Sequence, residues 1–104
     1  MLVKSERNKG EAPLTFDTKK GILKIGSGEM GRNTLSDFIG NFEEVKRYDI
    51  KKIVIEGEVQ ASPDMSYGFS AFAGIPNVKT IENADQLDMS GVTNASCMFY
   101  DAEN

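Results

Sequence analysis

Apolar runs in this chain are short, and that limits the folds open to it. Leu14-Thr15-Phe16, Ile22 to Ile25, Ile50 to Glu56, Val78 to Glu82 and Leu87 to Met89 each span at most seven residues. Alternating or β-branched runs of this size carry the signal of short strands. They are too short for a doubly wound sheet with full crossover helices. No stretch approaches the ~18 apolar residues of a membrane span, and no charged-then-apolar segment after Met1 reads as a signal peptide.

Residues 1–12 mix charges without a period and are expected to form a flexible N-terminal arm, although Leu2 and Val3 could dock. Leu14 and Phe16 share one face, as do Leu23 and Ile25. The polar link Asp17-Thr18-Lys19-Lys20-Gly21 between the two runs predicts a β-hairpin. Gly26 through Gly31 is expected to be a flexible break. Leu35, Phe38, Ile39, Phe42 and Val45 recur at helical spacing, so residues 34–48 are expected to be helical for part of their length. Thr34 with Asp37 is a weak N-cap signal. Gly40 costs about 1 kcal/mol relative to alanine and favours a short or broken helix.

The 104 residues make one small domain or a piece of a larger one. The chain has no histidine, no tryptophan and one cysteine. A Ser-His-Asp or Cys-His site is therefore impossible within it, as are an internal disulfide and a thiolate zinc site. The net charge of −4 hides an asymmetry: residues 1–52 carry eleven of the twelve cations and a balance of +3, residues 53–104 a balance of −7. Lys19, Lys20 and Lys24 fall on the expected hairpin while Lys51 and Lys52 precede a strand. No single basic run emerges, and no nucleic-acid partner is expected.

Gly26-Ser27-Gly28-Glu29-Met30-Gly31 matches G-x-G-x-x-G between an expected strand and an expected helix. Glu56 follows where a dinucleotide site places its ribose-binding acid. This makes a small nucleotide-binding α/β domain the alternative reading. Lys24 inside the preceding strand, a helix that begins beyond the third glycine and the shortness of the chain all count against it.

A second pattern is a faint repeat. Asp64-Met65-Ser66-Tyr67-Gly68-Phe69 aligns with Asn94-Ala95-Ser96-Cys97-Met98-Phe99 at an offset of 30 residues, a period typical of solenoid units. The stretch Leu87-Asp88-Met89-Ser90-Gly91-Val92-Thr93-Asn94-Ala95-Ser96-Cys97-Met98-Phe99-Tyr100 resembles the repeat of the BspA-like leucine-rich-repeat surface proteins. The match holds at Leu87, Asp88, Ser90, Val92, Thr93, Asn94, Ser96, Met98 and Phe99. It departs at Ala95, where methionine is usual, and in a shortened spacer before Val92. Ile53 to Gly57, Asp64 to Phe69 and Ile75 to Asn83 are similar to the family's segment introducing the repeats, and Gly21 to Met30 to its leading hairpin strand. The last similarity accounts for the glycine pattern without a nucleotide.

The resemblance implies an α+β chain in which a β-hairpin and a short helix cap the start of a leucine-rich-repeat-like solenoid with short parallel strands. The arm would be 1–12, the cap 13–49 and the first repeat-like units 50–104, cut inside a repeat. Ile53, Ile55, Phe69, Phe72, Val78, Ile81, Leu87, Val92, Met98 and Phe99 would be core or ladder positions. A solenoid cut at Asn104 exposes apolar surface, so the chain is expected to be an N-terminal fragment or to self-associate through residues 87–104. By resemblance the function is a non-catalytic protein-interaction or adhesion module, secreted or at a bacterial cell surface. Its partner would be a protein or extracellular ligand, with no nucleic acid and no membrane insertion.

No catalytic, cofactor-binding or metal-binding residue is assigned. Cys97 has neither a histidine to activate it nor a second cysteine to resolve it, so it reads as a structural thiol. Glu82, Asp85 and Asp88 match no calcium-loop signature. Glu43 with Glu44, and Glu56 with Glu58, are the acid pairs open to glycoside hydrolysis, Glu56 and Glu58 being expected on one strand face. Asn94-Ala95-Ser96 fits a glycosylation sequon that the repeat explains better.

Overall fold

A computed structural model describes residues 1–5, 10–65, 77–78 and 80–93. Among them the chain is mixed α+β, mostly short strands with one α-helix. Strands β1 (Leu2–Lys4), β2 (Leu14–Asp17) and β3 (Ile22–Ile25) form an antiparallel meander. Strands β5 (Lys52–Ile55) and β7 (Thr80–Glu82) extend it in parallel, giving the order β1-β2-β3-β5-β7. A second sheet, all parallel, has the order β4 (Gly28–Met30), β6 (Val59–Ala61), β8 (Leu87–Asp88).

Side-chain alternation and register together sort the residues of the larger sheet. Val3, Phe16, Leu23, Ile53 and Ile81 stand opposite one another across all five strands, and Leu14, Ile25 and Ile55 form a second row. All of these are buried except Ile81, which is partly buried against the core. Met30, Val59 and Ala61 of the smaller sheet join the same cluster, as do Val45, Ile50, Met65 and Val78 from the connections. Each fully buried Leu, Ile, Phe or Met contributes about 1.5–3 kcal/mol relative to exposure. A one-residue slip in any strand would turn its apolar side chains to solvent.

The hairpin forms as its sequence predicts. Asp17 Oδ1 accepts hydrogen bonds from the amides of Lys19 and Lys20 at 2.9 and 3.1 Å. Gly21, at φ +71°, closes the turn by donating its amide to the Asp17 carbonyl at 2.8 Å. The Lys20 amide bond is the main cause holding the Asp17 carboxyl below its usual 3.8. Desolvation opposes it, while the Lys19 amide and the nearby N-terminal and Lys20 charges lower it further. A folded-state value below the unfolded one stabilises the chain above the unfolded pKa, and that stability is lost as pH falls through the folded value. Asp17→Ala is therefore expected to lower the melting temperature at neutral pH, with the difference from wild type narrowing as pH falls below about 4. Melting curves recorded from pH 7 to pH 3 check this. A constant difference across that range would contradict it.

Helix α1 (Thr34–Asn41) buries Leu35 and Phe38. It ends where Phe42 turns extended, at φ −130° and ψ 114°, just beyond Gly40. Phe42 still packs against Phe38, with ring centroids 5.3 Å apart, and Val45 is buried from the irregular chain beyond. The helical period read at 34–48 thus ends early because the apolar face is completed without further helix. Asn33, not Thr34, is the N-cap residue and makes no side-chain cap; Thr34 Oγ1 accepts a bond from the Gly31 amide at 2.9 Å instead.

Two expectations are corrected. Residues 2–4 are not part of a flexible arm but the edge strand β1, because Val3 completes the buried row beside Phe16. The segment 26–31 is not simply a break, since β4 occupies Gly28–Met30 and pairs with β6.

Candidate functional site

The outward face of the larger sheet carries two mixed rows of mostly polar residues. Lys4, Thr15, Lys24, Val54 and Glu82 make one; Leu2, Asp17, Ile22, Lys52 and Thr80 make the other. Opposite charges meet across neighbouring strands: Lys24 Nζ lies 3.7 Å from Glu56 and Lys52 Nζ 2.6 Å from Glu82. Both pairs are about half exposed, so each is worth roughly 0–1 kcal/mol. They organise the surface more than they stabilise it. The smaller sheet presents Glu29, Gln60 and Asp88 in one outer row. This row lines an open groove of about 640 Å³ that Glu58 and Asp85 also border. A larger open cleft of about 890 Å³ runs beside α1, between Phe38, Asp37 and Arg32 and the β4 residues Glu29 and Met30.

The glycine segment does not have the geometry of a phosphate cradle. Four of its amides are already bonded within the protein: Gly26 to the Pro13 carbonyl, Gly28 to Glu58, Glu29 to Gly10 and Gly31 to Thr34. Such a site needs those N–H groups pointing at the ligand. Glu56, placed by spacing at the ribose position, instead faces Lys24.

Among the described residues no three His, Cys, Asp or Glu side chains are placed to hold a metal ion. Glu82 pairs with Lys52, and Asp88 accepts the Ser90 amide at 2.9 Å. Bonds from the Ser90 hydroxyl and then its amide hold the Asp88 carboxyl below the usual value, against slight desolvation. Glu56 and Glu58 do not share a strand face: both lie between β5 and β6, Glu56 toward Lys24 and Glu58 on the groove of the smaller sheet. Of the core positions implied by resemblance, Ile53, Ile55 and Val78 are buried, and Ile81, Leu87 and Val92 pack partly against the core. Phe69, Phe72, Met98, Phe99, Cys97 and the sequon at Asn94 lie outside the described residues.

One cluster escaped the sequence reading. The amides of Lys51 and Lys52 both donate to the Gly21 carbonyl, at 2.8 and 3.2 Å. This brings the hairpin lysines Lys19 and Lys20 to the same end of the sheet as the 46–52 segment. The 30-residue step between Gly21 and Lys51 is the signal that would have paired them. Comparison with protein-family models, curated proteins and solved structures finds no match.

Proposed function

We propose that the chain is a non-catalytic protein-interaction or adhesion module, built as the opening coils of a leucine-rich-repeat-like solenoid of the kind found in BspA-like bacterial surface proteins. The observation that carries this reading is a doubled register. Three strand-corner-strand units, β3–β4, β5–β6 and β7–β8, stack in parallel in both sheets at once. Leu23 lies opposite Ile53 and Ile53 opposite Ile81 in one sheet; Gly28 lies opposite Val59 and Val59 opposite Leu87 in the other.

Polar contacts repeat the same step. Asn83 Nδ2 donates to the Ile55 carbonyl at 3.1 Å, Asn77 Nδ2 to that of Tyr48 at 2.6 Å, and Thr93 Oγ1 to that of Pro63 at 3.2 Å, across 28, 29 and 30 residues. Stacking of near-identical units builds one continuous core and leaves the outward strand positions free to vary. On this reading Thr15, Lys24, Val54 and Glu82 are presented on a rigid face to a protein or extracellular ligand. The resemblance supports a module that is secreted or at a cell surface and that self-associates through residues 87–104.

Surface plasmon resonance against a panel of immobilised extracellular-matrix proteins tests the reading, with thermal shift against NAD and nucleoside phosphates run alongside. The expectation is saturable binding to at least one matrix protein, weakened on reversing the charges of Lys24 and Glu82, and no nucleotide shift. A rise of several degrees with NAD, or the absence of matrix binding, would count against the module and for another class.

A further inference from the structure

We infer that the end of the larger sheet formed by residues 17–21 and 46–52 docks the protein on an anionic lipid surface. These two segments carry six cations, Lys19, Lys20, Lys46, Arg47, Lys51 and Lys52, against two carboxylates, Asp17 and Asp49, with Lys52 also paired to Glu82 of β7, and the remainder of the chain is strongly acidic. They are 30 residues apart in sequence and are joined at Gly21. Its carbonyl accepts the Lys51 and Lys52 amides, and a Cβ placed on it would lie 2.7 Å from the Asp49 carbonyl oxygen and 3.2 Å from the Lys51 side chain. Lys19, Lys20, Lys46 and Lys51 are exposed.

The same end displays large apolar side chains. Tyr48 is 55% and Leu2 59% exposed. Leu2 stands opposite Asp17 at the hairpin turn, and Tyr48 lies in the 3-10 turn Arg47–Asp49 with the Arg47 guanidinium 4.0 Å above its ring. Lysines beside an exposed tyrosine and an exposed aliphatic side chain match the interfacial region of a bilayer. There the ammonium groups meet lipid phosphates while the apolar groups enter the headgroup boundary. A nucleic acid would use the tyrosine for stacking but has no use for Leu2. The electric asymmetry sets the pose, since the acidic remainder is repelled by the surface that the basic end approaches. The docking is peripheral.

Flotation of the full chain with vesicles tests this, using phosphatidylcholine alone and phosphatidylcholine mixed with phosphatidylglycerol. Binding is expected only to the mixed vesicles and to fall steeply as salt rises. A lysine near such a surface is worth roughly fivefold in affinity, so combined Lys19→Gln, Lys20→Gln and Lys51→Gln is expected to weaken binding on the order of 100-fold. Tyr48→Ser, which leaves the backbone bond from Asn77 in place, is expected to weaken it at unchanged salt dependence. Equal binding to both vesicle types, no binding to either, or retention of affinity in the triple variant would overturn the inference. So would tighter binding to a single-stranded oligonucleotide than to the mixed vesicles, which would assign the end to nucleic acid. Salt dependence on the native chain decides the matter even if the triple variant fails to fold.

Discussion

Phe16→Ala is expected to destabilise the protein by about 3–5 kcal/mol, the range for truncating a buried phenylalanine. Phe16 has no measurable exposure and sits at the centre of β2. Its register neighbours are Val3 on one side and Leu23 on the other, so a cavity at this position opens toward both. The short three-residue strand β1 has no other buried side chain to hold it against β2, and the loss should loosen that edge as well. A domain of this size has about 5–15 kcal/mol in total, so one substitution removes a large share. Each kcal/mol corresponds to roughly 4–8 °C, and the variant should melt tens of degrees lower. Thr15→Ala, one residue away on the outward face, is the control, with an expected change within about 0.5 kcal/mol. Urea denaturation of the two variants measures both. A Phe16→Ala loss below about 1 kcal/mol would mean that the five-strand row is not the core.

What was legible in the sequence was whatever local chemistry dictates. The hairpin could be read because Leu14, Phe16, Leu23 and Ile25 alternate and Asp17 can bond the amides two and three residues on. The helix could be read at Leu35 and Phe38, but its end could not, because Phe42 and Val45 keep helical spacing while packing on the core from the non-helical chain beyond it. Leu2–Lys4 is too short to show a period; it is a strand only because β2 offers an edge and Phe16 a neighbour for Val3. Gly28 was read as part of a break for a related reason. Its role depends on Glu11 and Ala12, which reach it through tertiary contact. The basic end was invisible for the same cause: the hairpin lysines and Lys51 come to one end of the sheet only once Gly21 accepts the amides of Lys51 and Lys52, thirty residues on. Glu56, by contrast, stands out by its spacing alone, and spacing says nothing of the Lys24 side chain it faces.

Gly28→Ala is expected to cost about 2–5 kcal/mol, a sum of backbone strain and collision. Gly28 has φ +145°, a conformation that L side chains rarely adopt. A Cβ there would lie 2.6 Å from the Ala12 nitrogen, 2.7 Å from the Glu11 carbonyl carbon and 2.8 Å from the Ala12 Cα. All three are backbone atoms, so no side-chain rotation relieves the contact. Moving segment 10–12 away would stretch the bonds that tie it to β4, from the Ala12 amide to the Glu29 carbonyl at 2.9 Å and from the Glu29 amide to the Gly10 carbonyl at 2.8 Å. Gly10→Ala separates the two contributions. Gly10 also has positive φ, at +92°, but a Cβ there meets nothing within 4 Å among the described residues. That variant should therefore pay the strain alone, about 1–3 kcal/mol. If Gly28→Ala proves no worse than Gly10→Ala in urea denaturation, the close approach of segment 10–12 to β4 is wrong. If it is clearly worse, the glycine at 28 is required by packing of the N-terminal segment onto the smaller sheet. Its place in a G-x-G-x-x-G pattern then needs no nucleotide to explain it, and loss of function in a Gly28 variant would report unfolding rather than a lost ligand.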